Sequence, residues 1–109
     1  ARLAPLRQRG ILVLGSGNIV HNLRVMSPAL RDTGFDWAAS FDDAARELLT
    51  SAPADVLKLR EHPDFERAVP TADHFIPMLY FAGLAAATPA TVLVQGYDYG
   101  SLSMASYTL

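Results

Sequence analysis

The stretch Ile11-Leu12-Val13-Leu14-Gly15-Ser16-Gly17-Asn18-Ile19-Val20-His21-Asn22 decides how this chain is read. Four consecutive apolar residues suit a strand covered on both faces, and Gly-Ser-Gly then permits a tight turn and a close approach of backbone to a neighbour or ligand. In open α/β sheets, functional groups gather at such carboxyl ends. His21 follows the turn between Asn18 and Asn22, where an imidazole can ligate a metal or move a proton near neutral pH. The blander reading is a histidine bonded to its own loop. A nucleotide-binding reading rests on the Gly-Ser-Gly turn alone, because G-x-G-x-x-G requires glycine at position 20 and the chain has Val20 there.

Outward from this stretch, residues 1–9 read as the tail of a helix stopped by Gly10. Residues 22–35 are irregular or weakly helical, punctuated by Pro28 and Gly34. Trp37, Phe41, Ala44, Ala45, Leu48 and Leu49 then form one helical stripe, with Asp42, Asp43, Arg46 and Glu47 facing away, Ser40 and Asp43 placed for a capping box, and Pro53 as terminator. Val56, Leu57 and Leu59 predict a second short helix, and residues 60–64 a polar turn with His62 exposed and structural. A further helix begins at Thr71 as N-cap, buries Phe75, Met78, Leu79 and Ala82, and stops near Gly83. Pro77 in its second turn removes the hydrogen bond to the carbonyl of Asp73, loosening the start beside His74. Thr91–Val94 is a second strand and residues 101–109 a third, joined by residues 96–100. These elements predict an α/β fold with a mostly parallel or mixed sheet flanked by helices.

The bulk properties narrow the partners. With 50% hydrophobic and 18% charged residues over 109 positions, the chain is expected to form one globular domain. Nine basic residues against eleven acidic give no electrostatic basis for binding nucleic acid or an anionic membrane. The absence of cysteine excludes disulfides, thiolate metal sites and thiol nucleophiles. No apolar run approaches the ~20 residues of a membrane span, and the first residues lack the apolar core of a secretory signal, so a cytoplasmic location is expected. A start without methionine suggests processing or a piece of something longer.

His74, in Pro70-Thr71-Ala72-Asp73-His74-Phe75, is the second candidate for chemistry, with Asp73 adjacent. It lies 53 residues from His21, so only the fold could bring the two imidazoles together. Its blander reading is a helix-start residue facing solvent. Tyr97, Tyr99 and Tyr107 either line a pocket or pack in strands.

Three segments taken in order carry a resemblance: residues 11–23, Pro70-Thr71-Ala72-Asp73-His74-Phe75-Ile76-Pro77, and Tyr99-Gly100-Ser101-Leu102-Ser103-Met104. Together they resemble the class III extradiol ring-cleavage dioxygenase family (LigB-like), in the branch similar to 4,5-DOPA dioxygenase. The resemblance covers nearly all of residues 1–109 and corresponds to the carboxyl-terminal half or less of a larger single-domain catalytic fold. It implies one divalent metal ion, iron(II) for activity or zinc(II), at the end of the sheet. It also implies a small catechol-type, DOPA-like substrate opened with O2. His74 matches the family's late metal-ligand position, which some relatives fill with glutamate. His21 matches a histidine treated as the acid–base in protocatechuate-cleaving relatives and as a further metal ligand in DOPA-type ones. The chain departs from the pattern at Val69, where relatives commonly carry a histidine, and in lacking the half that supplies two more histidines. Alone it is therefore expected to bind metal weakly and not to turn over catechol. Its unpaired edges make a homo-oligomer an expectation. The alternative is a non-catalytic metal- or ligand-binding protein of related, Memo-like fold, against which the retention of both His21 and His74 speaks.

Overall fold

In a computed structural model, which describes residues 2–109, the chain opens with helix α1 (Ala4–Gln8). Gly10 ends it as expected: at φ 72° its N–H donates to the Arg7 carbonyl and that of Ile11 to the Leu6 carbonyl. These paired bonds satisfy two carbonyls that the helix end would leave open. Ala1, the first residue of the expected helix, lies outside the described residues.

The strand expected at Ile11–Leu14 is not formed. The run is extended but joins no ladder, and Leu12 and Leu14 are 81% and 85% exposed. A strand needs a neighbour for its backbone groups, and among the described residues none lies beside this run. The chain mixes helices with small sheets, as its α/β reading requires, but both sheets are two-stranded and antiparallel. The parallel pairing expected from the continuous apolar run is therefore absent among the described residues.

Helix α2 (Asp36–Ser51) is the longest element and buries Ala38, Phe41, Ala45 and Leu49. Two details of its reading are corrected. Because the helix starts at Asp36, Ser40 lies inside it and cannot cap it, and Asp42 is buried while Asp43 is exposed. The short helix expected around Val56 is a 3-10 helix, Pro53–Glu61, whose Val56 and Leu59 face inward while Leu57 is exposed. Helix α3 (Phe65–Ala68) follows, and then α4 (Ile76–Ala85).

Helix α4 starts later and ends later than its pattern predicted. Pro77 sits in its first turn, where a missing N–H costs nothing because no carbonyl precedes it in the helix. The helix passes through Gly83 and stops at Ala86, a non-glycine residue at φ 52°.

Strand β1 (Thr91–Val94) pairs with β4 (Ser106–Thr108), in register Thr91 with Thr108 and Val92 with Tyr107, with an irregularity before Val94. Strands β2 (Tyr97–Asp98) and β3 (Leu102–Ser103) form a hairpin that turns at Tyr99 and Gly100, both at positive φ. The single segment expected over residues 101–109 is thus two short strands serving different sheets. Val20, Phe41, Leu49, Leu59, Phe75 and Met78 meet in the core between α2, the 3-10 helix and α4.

Candidate functional site

Gly17 explains why two distant segments meet. A Cβ at this position would stand 2.5 Å from the backbone oxygen of His74, so only glycine lets the turn press against residues 74–77. At Gly15 an added Cβ would lie 3.3 Å from the Pro77 side chain, so the whole turn packs along that segment. The fold therefore brings together the two candidate histidines, with His21 and His74 ring centroids 5.0 Å apart and the planes inclined by 36°.

His21 is held from every side. It is 5% exposed, its N–H donates to the Ala68 carbonyl at 3.0 Å, and it makes a single antiparallel bridge to Leu102. Ser103 N–H donates to the Val20 carbonyl at 3.0 Å and Asn22 N–H to the Ser101 carbonyl at 3.2 Å, pinning the loop to β3 on both flanks. The ring nitrogens Nδ1 and Nε2 each lie 2.9 Å from a carbonyl oxygen, of Asn18 and Thr71 respectively. A neutral imidazole has one N–H and can donate to only one of these carbonyls; the doubly protonated ring donates to both. Asn22, one of the two flanking amides, bonds the backbone instead: its Nδ2 donates to the Arg67 carbonyl at 2.8 Å and its Oδ1 accepts from Arg24 N–H at 3.2 Å.

His74 contrasts with it. Its side chain is 49% exposed, and Nε2 stands 3.6 Å from the Asp73 carboxylate. Thr71, expected as the N-cap of α4, instead donates its hydroxyl to Asp73 Oδ1, while the helix begins five residues later. That bond, followed by the backbone donors of the turn and the neighbouring His74, holds the Asp73 carboxyl below its ordinary value. His62 is half-buried rather than exposed. Its Nδ1 accepts from Asp64 N–H at 3.1 Å, and its ring meets Phe41 edge-on, so its role in the fold is structural as expected.

Asp42, which the helical pattern placed towards solvent, is the polar group that sequence reasoning missed. Ser103 Oγ donates to Oδ1 at 2.5 Å and Tyr97 Oη to Oδ2 at 3.3 Å. Burial pushes its carboxyl up, against the pull of both hydroxyls and of Arg46. The signal was present: Asp42 lies four residues after Ala38, three before Ala45 and seven before Leu49, which is the spacing of the buried face. Tyr97 is itself pushed up to about 12, by burial first and then by Asp42. Tyr99 occupies the hairpin turn with the Arg31 guanidinium 4.6 Å above its ring. Tyr107 lines a cleft of about 700 Å³ between residues 10–19, α4 and the chain end. That cleft does not include His21 or His74, so the paired imidazoles lie outside it.

A metal centre is tested by its donors. Among the described residues no three His, Asp or Glu side chains converge. His74, with an exposed ring and an adjacent carboxylate, fits one ligand position. His21 has both nitrogens against carbonyls and fits a proton-carrying position better than a coordinating one. Val69 is buried in the core.

A glycine turn wedged against a second histidine-bearing segment, within a small mixed α/β unit, sets two imidazoles side by side. Comparison with known proteins gives the family. The family described as the catalytic LigB subunit of aromatic ring-opening dioxygenase matches residues 2–109. The chain belongs to that family. It is 37% identical to the 4,5-DOPA dioxygenase extradiol of Escherichia coli K12, over 96% of this chain and 41% of that protein. It is 32% identical to the protein of the same name from Beta vulgaris, over 96% of this chain and 40% of that one. The crystal structure of an uncharacterized Escherichia coli K12 protein superposes with a TM-score of 0.86 at 35% identity, covering 97% of this chain and 46% of that one. The chain thus spans about two fifths of the length of the curated relatives it matches.

Proposed function

We propose that this chain is the carboxyl-terminal part of an extradiol dioxygenase that opens a catechol-type, DOPA-like ring with O2. The observation that carries the reading is the apposition of His21 and His74 at 5.0 Å across a glycine that admits no side chain. His74 is the metal ligand of the pair, completed by donors from outside the described residues. A ferrous ion bound there supplies a Lewis acid for the catechol oxygens and a route for electrons from the ring to dioxygen. Both oxygen atoms enter the product as the ring bond beside the diol breaks, so no external reductant is required.

At Nε2, the nitrogen on the Thr71 side, His21 takes the proton that leaves the catechol hydroxyl, while Nδ1–H stays on the Asn18 carbonyl. The carbonyls of Asn18 and Thr71 keep the ring in one orientation and accept from both N–H groups once it is charged. Its burial excludes bulk water, which would otherwise compete for that proton. Iron as the physiological metal and a cytoplasmic setting belong to the same proposal.

The test uses the whole protein as the cell makes it, loaded anaerobically with ferrous ion and offered DOPA, protocatechuate and catechol. Oxygen uptake with a yellow ring-opened product is the expected result, and metal bound without uptake on any of the three would overturn it in favour of a binding protein. His21→Ala is expected to depress turnover far more than metal content, whereas His74→Ala lowers both. Equal loss of metal in the two variants would make His21 a ligand.

A further inference from the structure

Asp42 is a carboxylate set into the apolar face of α2, 3% exposed among Ala38, Phe41, Ala45 and Leu49. A charge in that position is costly unless its oxygens are well partnered, and an apolar residue of similar volume would often serve stability as well or better. Its partners lead in two directions. Tyr97 Oη approaches Oδ2 from β2, and the Tyr97 ring lies on Gly34, where an added Cβ would come within 2.7 Å. The contacts of that branch include neither of the paired histidines. Ser103 Oγ donates to Oδ1 from β3, and this branch runs towards them.

The second branch can be followed atom by atom. With its hydroxyl fixed on Asp42, Ser103 grips the glycine-turn loop twice. Its N–H donates to the Val20 carbonyl at 3.0 Å, and its carbonyl accepts from Asn18 Nδ2 at 2.7 Å. The carbonyl of the same Asn18 lies 2.9 Å from Nδ1 of His21. Ser103 is 1% exposed, so its hydroxyl is shut off from bulk solvent.

We propose that Asp42 is a positioning residue for His21, acting through Ser103 and Asn18 to set the Nδ1 side of the ring. The inference rests on the reading of His21 as the proton carrier, but it is a statement about ring geometry and is measured without turnover. Asp42 touches neither substrate nor metal in this account. It fixes β3, β3 fixes the loop, and the loop carbonyl fixes the imidazole. Hydrogen-bonded supports of this kind hold reacting groups within the small tolerance that chemistry demands.

The experiment is long-range proton–nitrogen NMR of the His21 ring in the whole protein, in three disrupting variants, Asp42→Leu, Ser103→Ala and Tyr97→Phe, and in the conservative variant Asp42→Asn. The Trp37 indole signal and circular dichroism report that each variant is folded. Asp42→Leu and Ser103→Ala are expected to shift the Nδ1 resonance more than Nε2, and Tyr97→Phe to leave both in place. Asp42→Asn, whose amide oxygen still accepts from Ser103, is expected to restore the parent Nδ1 position. An unmoved Nδ1 in folded Ser103→Ala, or an equal shift in all three variants, would overturn the proposal. Should Asp42→Leu fail to fold, Ser103→Ala and Asp42→Asn decide the matter alone. If the Nδ1 shifts follow the expected order while oxygen uptake is absent, the support for His21 stands and the dioxygenase reading falls. Uptake with an unmoved Nδ1 gives the reverse.

Discussion

Residues 11–17 and residues 18–22 are consecutive in the chain and opposite in environment. The first run is extended, apolar and exposed, and among the described residues its backbone from Leu12 to Gly17 joins no hydrogen bond. The second is buried and bonded at nearly every residue: Asn18 and Val20 to Ser103, His21 to Ala68, and Asn22 to Ser101 and Arg67. The difference shows where the organisation of the site originates. The imidazole is set by contacts within this chain, whereas the strand-like run leading to it has the composition of a covered strand and pairs with no strand among the described residues. Site geometry and sheet completion are thus separable properties, and each can be disturbed without the other.

The largest disturbance should come from the clamped side's foundation. Phe41 is fully buried and packs against both Phe65 and His62. Phe41→Ala is expected to cost about 3–5 kcal/mol in urea unfolding, a large part of the ~5–15 kcal/mol that a domain of this kind possesses. A loss below ~1 kcal/mol would mean that the core is not organised around this ring.

Gly17→Ala comes next and tests the junction between the two regions. The new methyl would meet the His74 carbonyl, which as backbone cannot swing aside, so either the turn or residues 74–77 must move. Overpacking of this sort costs about 1–3 kcal/mol, and the expected signature is a lowered Tm together with a changed His21–His74 spacing, seen as loss of the cross-ring proton contact in NMR. A variant of unchanged Tm that kept this contact would refute the close approach.

How much of this was legible in the sequence follows the same division. The glycine stop of α1 and the stripe of α2 are legible because each depends on a local rule, a positive φ and a helical period, whereas the meeting of His21 and His74 depends on the fold. The continuous apolar run at 11–14 was read as a strand on composition alone. Composition reports what a segment can do, and pairing depends on a neighbour that local sequence does not contain. Thr71 was read as a cap from its type, but its hydroxyl satisfies Asp73 instead, and the later start leaves Pro77 in the first turn, where it is tolerated. Asp42 was turned outward because of its charge, and period outweighed charge once Ser103 and Tyr97 supplied donors.

Tyr97 offers a smaller and more specific check on the clamped side. Its phenol is pushed up to about 12 by burial and by the Asp42 carboxylate, above the ordinary value near 10. A group whose folded pKa is raised contributes stability that is present below the unfolded value and lost as pH rises through the folded one. Stability is therefore expected to fall between about pH 10 and 12. Tyr97→Phe should flatten that part of the curve while leaving neutral-pH stability little changed, as followed by thermal unfolding across the alkaline range. An equal fall in the variant would assign the alkaline loss to other groups.

The smallest expected effect lies on the open side. Leu12 and Leu14 point away from the core at 81% and 85% exposure. Replacing both with lysine removes no buried contact, so the 109-residue chain should unfold within about 0.5 kcal/mol of the parent and keep its His21 ring resonances. The same variant also alters the open edge. Two ammonium groups on an unpaired strand oppose addition of another strand at that edge, so any concentration-dependent association of the parent should weaken, as measured by sedimentation. A drop of several kcal/mol in the double variant would show that the run is covered in the folded protein. Residues 11–17 would then belong to the organised part of the molecule, and the contrast between the two regions would disappear.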